Sequence, residues 1–523
     1  MTSPEHAPIR RQTLGDLLRR TAKRFPNKDA IIFNDDVWSY AEFDCRCNQL
    51  AHGLIAQGIG KGDAVAVLSY NSNEFTALRF AIARIGAVLV PINFMLNAKE
   101  AAYNIGHSGA IMLCVGSDFV KTAKLILKHD VKVEKTVLLP GIAESDLPEQ
   151  WLDYETLISN NEHEPNADVQ GSDLAQIIYT SDTESQPKGA MLTHEAIIWQ
   201  YVSCLVDGEI TTRDKILHAL PLYHCAQLDV FLGPAIYVGA TNVILSTPTP
   251  DTILPLIEQH EITSFFSPPT VWIALMRSPL FDKSDLTSLC KGYYGAAIMP
   301  VEILKELAQR LPTMRLWNFY GQTEIAPLAA SLAPNLQQIK AGAAGRAVLN
   351  VETRVVNDKM QDVAIGEVGE IVHRSPQLLS GYFNDQERTN AAFKGGWFHS
   401  GDLAILDSEG YITIVDRKKD MVKTGGENVA SREVEECIYQ LEQVAEVAVI
   451  GLPHPTWVEA VFAVVVLKTG ASLSETTLLA HCKNILAHFK APKGVVFAES
   501  LPKNPSGKIL KRNLRTEYKN IMM

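Results

Sequence analysis

Short apolar runs alternate with amphipathic stretches through the first two-thirds of the chain, and this alternation narrows the fold more than any other feature. DAVAVLSY, AVLVPIN, IMLCVG, QIIYTS, KILHALPL, TNVILST and KGYYGAA are strand-length, while NEFTALRFAIARIG and DTILPLIEQHE between them repeat at helical spacing. Apolar strands separated by helices predict parallel sheets covered by helices. From about Val351 the rhythm changes to VETRVVND, GEIVHRS, WFHSGDLAIL and YITIVDR, which predicts a smaller antiparallel β unit. After DRKKD come a helix (SREVEECIYQL), the runs VAEVAVIGL and VFAVVVLK, a second helix and VVFAES. That is an α+β module of about a hundred residues, the size of an independent domain. The fold class predicted is α/β. A large N-terminal domain spans 1–416, with helix-covered, mostly parallel sheets and the antiparallel unit, and a small α+β C-terminal domain spans 417–523.

At 523 residues the chain exceeds what one hydrophobic core usually spans. Its net charge of −11 argues against a nucleic-acid partner. The charge is unevenly placed, with 15 Lys+Arg against 11 Asp+Glu from Arg417 onward, so the body is acidic and the tail basic. Such a tail suits either its acidic neighbour or an anionic ligand. The eight cysteines form no zinc-type spacing, which fits a reducing, cytoplasmic setting. The longest apolar runs are strand-length, so no transmembrane segment is predicted. Leu14, Leu17, Leu18, Ala22 and Phe25 recur at helical spacing among arginines, with Thr13 and Asp16 placed to form a capping box. A basic amphipathic helix of this kind packs on its own domain or touches a membrane surface peripherally, and packing is the reading preferred.

YTSDTESQPKGAMLTH (residues 179–194) follows a strand-like run, and from MLTH onward it reads as a helix. The turn's N–H groups, the hydroxyls of Thr180, Ser181 and Thr183, and the charge of Lys188 suit phosphate oxygens. GxxxxGK is absent, so this is no Walker A loop, and alone it reads equally well as a polar surface loop. PLYH, NFYGQTE, GEVGEIV, GWFHSGDLA, DRKKDMVKTGGENV and PKNPSGKILKR follow in that order. Together the seven stretches resemble the adenylate-forming superfamily of acyl-CoA synthetases, luciferases and carrier-protein adenylation domains. WSYAEF and VPINFMLNAKEAAYNI place the resemblance nearest the acyl-CoA synthetase branch, and it covers about residues 13–515.

The resemblance implies an acid–thiol ligase that uses ATP, Mg²⁺ and coenzyme A on a small carboxylic acid, fatty or otherwise apolar. The carboxylate attacks the α-phosphate to give acyl-AMP and pyrophosphate, and the thiol of coenzyme A then attacks the acyl carbon. Catalysis of this kind is mostly positioning and charge neutralisation. By the same resemblance Tyr320, beside Gly321, stacks on adenine, Thr323 bonds a phosphate, and Glu324 with Thr180 holds Mg²⁺. Gly295 and Ala296 leave room for the nucleotide and the acyl group. Asp402 accepts from the ribose hydroxyls with Arg417 beside it, a turn-capping aspartate being the alternative. Lys508 bridges the substrate carboxylate and the α-phosphate, and Lys419 is the hinge, within 417–420, of a mobile C-terminal domain. Lys423, Gly425 and Gly426 then border the path of coenzyme A. His224 lies near the substrate carboxylate, or else is a buried histidine satisfied by its neighbours. The acyl wall is expected in 223–227, 265–270 and 294–298, which are mostly apolar.

One departure stands out. The family loop reads YTSGTTGxPKG, whereas this chain has Asp182, Glu184 and Ser185 in place of glycine, threonine and glycine. Lost glycines restrict the loop and two carboxylates repel a triphosphate. The matching residues outside the loop favour an altered, working site. An enzyme that loads a carrier protein, and a catalytically silent nucleotide- or CoA-binding homologue, are the alternatives.

Overall fold

The structure, a computed structural model, describes residues 8–143, 145–180, 187–297, 299–418, 420–424, 427–503 and 509–522. Two large sheets make up the body. One has nine strands, whose six central strands run parallel, from Asp29–Phe33 at one side to Arg315–Gly321 at the other. The second has eight strands, parallel except where Lys188–Thr193 and the two-residue strand Gly381–Tyr382 close one edge. Helices Tyr40–Ala56 and Asn73–Arg84 share a single apolar cluster with residues of both sheets. The second of these buries every residue but Glu74, as expected of a helix with apolar neighbours all round. Its Arg79 meets the buried Asp229, which also accepts from Gln176 and Tyr201.

Helix Leu14–Arg24 starts on the capping box expected from Thr13 and Asp16. It buries Leu14, Leu17 and Leu18 against the Tyr40–Ala56 and Asn73–Arg84 helices. Arg11 and Arg19 bond Asp16 and Glu164, so these two arginines are paired within the fold. No described helix is long and apolar enough to cross a membrane.

The antiparallel unit expected after Val351 is a four-stranded sheet of Glu352–Val356, Gly369–Arg374, Phe398–Leu406 and Ile412–Arg417. The tail then builds a five-stranded sheet around the long hairpin Val444–His454 and Val458–Leu467. Among the described residues, no apolar cluster contains residues from both sides of Arg417.

One local expectation is corrected. The first three residues of the expected helix, MLT, do not start it but end strand Lys188–Thr193, paired antiparallel to Leu174–Thr180. The helix begins only at His194, capped by Thr193. Thr180 and Lys188, at the near ends of these paired strands, thus stand opposite each other, and the helix starts six residues beyond Lys188. Gly189, Ala190 and Leu192 are buried in a strand paired on both edges.

The tail's first helix, Ser431–Tyr439, follows Ala430, which has no side chain able to cap it. Asp416, at the end of the body's last sheet, supplies the cap instead: its Oδ2 accepts from the N–H and the hydroxyl of Ser431, both at 2.7 Å. A lost N-cap costs about 1 kcal/mol. Asp416→Ala should therefore loosen the tail and speed tryptic cleavage within 417–420 about fivefold. An unchanged cleavage rate would show that the cap does not hold the tail.

Candidate active site

A cavity of about 650 Å³ opens where the two large sheets and the antiparallel unit meet. Thr180 and Lys188 reach it from the two ends of the hairpin, facing each other in register. His224 and Ala226, Gly295 and Ala296, and the run Tyr320–Glu324 line it from the nine-stranded side, with Arg417 from the antiparallel unit. A second cavity of about 1150 Å³ lies between body and tail and shares Tyr320, Ala296 and Arg417 with the first.

Asp402 is a buried carboxylate between the nine-stranded sheet and the antiparallel unit. It stands opposite Arg417 across an antiparallel pair, a register that puts both side chains on one face. Arg417 Nε lies 3.2 Å from Asp402 Oδ1, and the Tyr320 hydroxyl donates to Oδ2 at 2.6 Å. Ser400 accepts the Asp402 N–H, so the turn is capped by serine and the aspartate is left for the cavity, against the turn-capping alternative. Burial, and after it the Asp402 charge, raise the Tyr320 hydroxyl well above its usual pKa. Burial works most strongly against the Arg417 charge, but Asp402 together with Tyr320, Asp420 and Glu324 outweighs it and the pKa is raised.

Thr323 and Glu324 sit on a single helical turn, Thr323–Ile325. Thr323 Oγ1 lies 3.3 Å from the Cys225 thiol, which burial pushes up to about 12, so the neighbour is a neutral thiol. Glu324 accepts from the Tyr382 hydroxyl at 3.0 Å. His224 caps the short helix Cys225–Gln227, its Nδ1 accepting the Ala226 N–H at 3.1 Å. With Nδ1 an acceptor, the neutral ring carries its proton on Nε2 and acts as a donor.

Both motif glycines answer to backbone. A Cβ on Gly295 would lie 2.4 Å from the Phe319 carbonyl oxygen, and one on Gly321 would lie 1.8 Å from that of Pro327. Close approach of neighbouring chain thus accounts for these positions.

Of the expected site residues, the structure brings together Thr180, Lys188, His224, Gly295, Ala296, Tyr320, Gly321, Thr323, Glu324, Asp402 and Arg417 around the two cavities. Lys423 stands apart, exposed, its N–H bonded to Glu459. Ser181, Thr183, Lys419, Gly425, Gly426 and Lys508 lie outside the described residues, as do Asp182, Glu184 and Ser185. Lys503 and Ile509, which bracket 504–508, form a β-bridge and both line the larger cavity. Of the expected acyl wall, Tyr223, Cys225, Ala226, Phe266, Gly295 and Ala296 line the smaller cavity. Phe265 and Tyr294 instead face the core, and Gln227 is buried against His218. Val230, Phe231 and Leu328 join that wall unannounced, as does Tyr382 on the polar side. The first two sit on a wide helical turn, Leu228–Leu232, and Tyr382 on a two-residue strand, so neither shows a readable period.

Among the described residues no three His, Cys, Asp or Glu side chains cluster as a metal site. Glu324 with the Tyr382 hydroxyl and the adjacent Thr323 is a hard oxygen set that fits Mg²⁺ arriving with substrate phosphates and water.

Models of two families match the chain: AMP-binding enzyme over 18–383 and AMP-binding enzyme C-terminal domain over 433–508. The chain is 34% identical to indoleacetate–CoA ligase of Aromatoleum aromaticum, the match covering 96% of this chain and 97% of that one. It is also 34% identical to long-chain-fatty-acid–CoA ligase FadD13 of Mycobacterium tuberculosis, covering 97% and 99%. The fold superposes on ATP-bound MatB from Rhodopseudomonas palustris with a TM-score of 0.89 and 30% identity, covering 98% and 100%. With both family models matched in order and relatives aligned end to end, the chain belongs to the AMP-binding enzymes, in the acyl-CoA synthetase branch of AMP-forming acid–thiol ligases.

Proposed function

We propose that the protein joins an apolar carboxylic acid to coenzyme A through an acyl-adenylate, using ATP with Mg²⁺. The observation that carries this reading is the single cavity in which hydroxyls, a lysine and a carboxylate from distant segments meet an apolar wall. Thr180, Ser181, Thr183, Lys188 and Thr323 hold the β- and γ-phosphates, and Glu324 with Thr180 holds the metal. Bound there, Mg²⁺ neutralises phosphate charge. Tyr320 packs on adenine while its hydroxyl keeps Asp402 in place, and Asp402 with Arg417 takes the ribose hydroxyls. The substrate carboxylate oxygen attacks the α-phosphorus as the bond to pyrophosphate breaks. Lys508 neutralises the charge that develops, and the Nε2 proton of His224 orients the carboxylate.

In the second half-reaction the thiolate of coenzyme A attacks the acyl carbon and AMP leaves. Residues 1–416 and 417–523 then act as two bodies hinged at Lys419, with Lys423, Gly425 and Gly426 beside the pantetheine arm. The absence of any described apolar cluster across Arg417 supports such a division. Ala226, Val230, Phe231, Phe266 and Leu328 form an uncharged wall, which favours an apolar acyl group, aromatic or aliphatic. Relatives named for indoleacetate and for long-chain fatty acids are consistent with that class. A panel of acids of graded length and aromaticity, assayed for ATP–pyrophosphate exchange and for CoA thioester, tests the reading. Exchange without dependence on free coenzyme A for turnover would indicate a carrier-protein acceptor, and no exchange with any acid would refute catalysis.

Three expectations follow from the assigned roles. Tyr320→Phe keeps the ring but frees Asp402, and a hydrogen bond to a charged group is worth about 1.5 kcal/mol. KM for ATP should therefore rise about tenfold with kcat nearly unchanged, because the ribose is remote from the reacting atoms. A fall in kcat alone would remove Asp402 from the ribose. Lys508→Ala should abolish acyl-AMP formation yet spare thioester formation from supplied acyl-AMP, and equal loss of both halves would count against its role. Restoring the family loop with Asp182→Gly and Glu184→Thr together should lower KM for ATP by a few fold, since two exposed like charges are worth about 1 kcal/mol at most. The gain should shrink at high salt. A lost rate recovered only by extra Mg²⁺ would mean instead that one of these carboxylates binds the metal.

A further inference from the structure

Gly381–Tyr382 adds the last strand to the edge of the eight-stranded sheet, pairing Tyr382 with Ala190. Ala190 lies two residues beyond Lys188 on the neighbouring strand, so their side chains share a face. Tyr382 therefore lies diagonal to Lys188, within reach of long side chains, and the Lys188 ammonium sits 5.2 Å from the centre of its ring. The hydroxyl at the far end of the same side chain donates to Glu324 Oε1 at 3.0 Å. Glu324 belongs to the helical turn that links two strands of the other large sheet, and its backbone carbonyl accepts from Leu379, three residues before Tyr382. One buried side chain thus meets a cation with its face and an anion with its tip.

The tyrosine is itself held firmly. Its N–H donates to Thr389 Oγ1 at 2.9 Å, and the adjacent Ser380 and Phe383 N–H groups donate to Met191 and Gly189 carbonyls. Gly381 before it has φ of 150°, and a Cβ there would lie 3.0 Å from Thr389.

We propose that Tyr382 is a positioning residue for the adenylation half-reaction. It fixes one oxygen of Glu324, leaving Oε2 to the cation, and sets Glu324 and Lys188 at a constant separation across the phosphate site. This rests on the assignment of Glu324 to Mg²⁺ made above. The geometry separates two contributions. Tyr382→Phe removes the hydroxyl and keeps the ring under Lys188, whereas Tyr382→Leu removes both.

The test measures acid-dependent ATP–pyrophosphate exchange against Mg²⁺, and Mn²⁺ binding by paramagnetic resonance with a non-hydrolysable ATP analogue. Glu324→Gln is run in parallel. Tyr382→Phe should raise the half-maximal Mg²⁺ about tenfold and weaken Mn²⁺ binding by a similar factor, the worth of one hydrogen bond to a charged group. Its rate at saturating Mg²⁺, and thioester formation from supplied acyl-AMP, should stay close to those of the parent. Tyr382→Leu should in addition raise KM for ATP. If Glu324→Gln shifts the Mg²⁺ midpoint and Tyr382→Phe does not, the positioning role is overturned while the metal assignment stands. If neither shifts it, both fall. Equal loss of the two half-reactions in Tyr382→Phe would mark a structural role only and likewise overturn the proposal.

Discussion

A single buried carboxylate, Asp402, holds the site together. Through Tyr320 it reaches the nine-stranded sheet, and through Arg417 it reaches the last strand before the tail. A carboxylate out of water is tolerated only where partners bond it, since an unpaired one costs several kcal/mol. The phenol and the guanidinium provide that bonding and are themselves tied in place by it. This corner of the cavity is thus held by the fold's own bonds, the kind of arrangement that lets a site stabilise charge without reorganising.

Beneath the other wall a second carboxylate, Asp229, does comparable work in the core. It gathers Arg79, Gln176 and Tyr201 from three elements, and burial alone would raise its pKa. Because removing one partner of a buried pair costs about 3–5 kcal/mol, this cluster fixes the relative placement of helix Asn73–Arg84 and the strand leading to Thr180. Val230 and Phe231, which follow Asp229 on the wide turn, then project into the cavity as the apolar wall. The acid-facing surface is therefore positioned from below by a polar knot.

How much of this was readable beforehand depends on the length scale over which each residue acts. The parallel sheets, the antiparallel unit after Val351 and the tail module come from local periodicity, and each appears as a sheet where expected. Glu324, Thr323 and Tyr320 lie in one contiguous motif, and the structure puts them in one cavity. MLT was misread because it runs straight into the helix at His194, and three residues are too short to show a period of their own. Tyr382 and Asp416 were invisible for a different reason. Each acts through a partner brought near only by the fold, Glu324 across two sheets and Ser431 across the connection to the tail. Local pattern carries no trace of either pairing.

The bonds that join tail to body differ in kind from those inside either part. Within the tail, clusters around Val449 and Phe462 bury aliphatic side chains drawn wholly from residues after Arg417. Across the connection, Asp416 caps Ser431, and Arg432 donates to the carbonyls of Gly342 and Ile414. Between the two parts lies a cavity of about 1150 Å³ rather than a packed seam. Apolar interfaces resist separation because every exposed square ångström costs free energy, whereas polar groups regain water when parted and lose only about 1 kcal/mol per bond. A tail held by directional polar bonds over an open cavity suits the hinge proposed at Lys419, because parting those bonds would expose no core. Apolar within and polar between is the pattern that the proposed use of one small domain in two half-reactions would require.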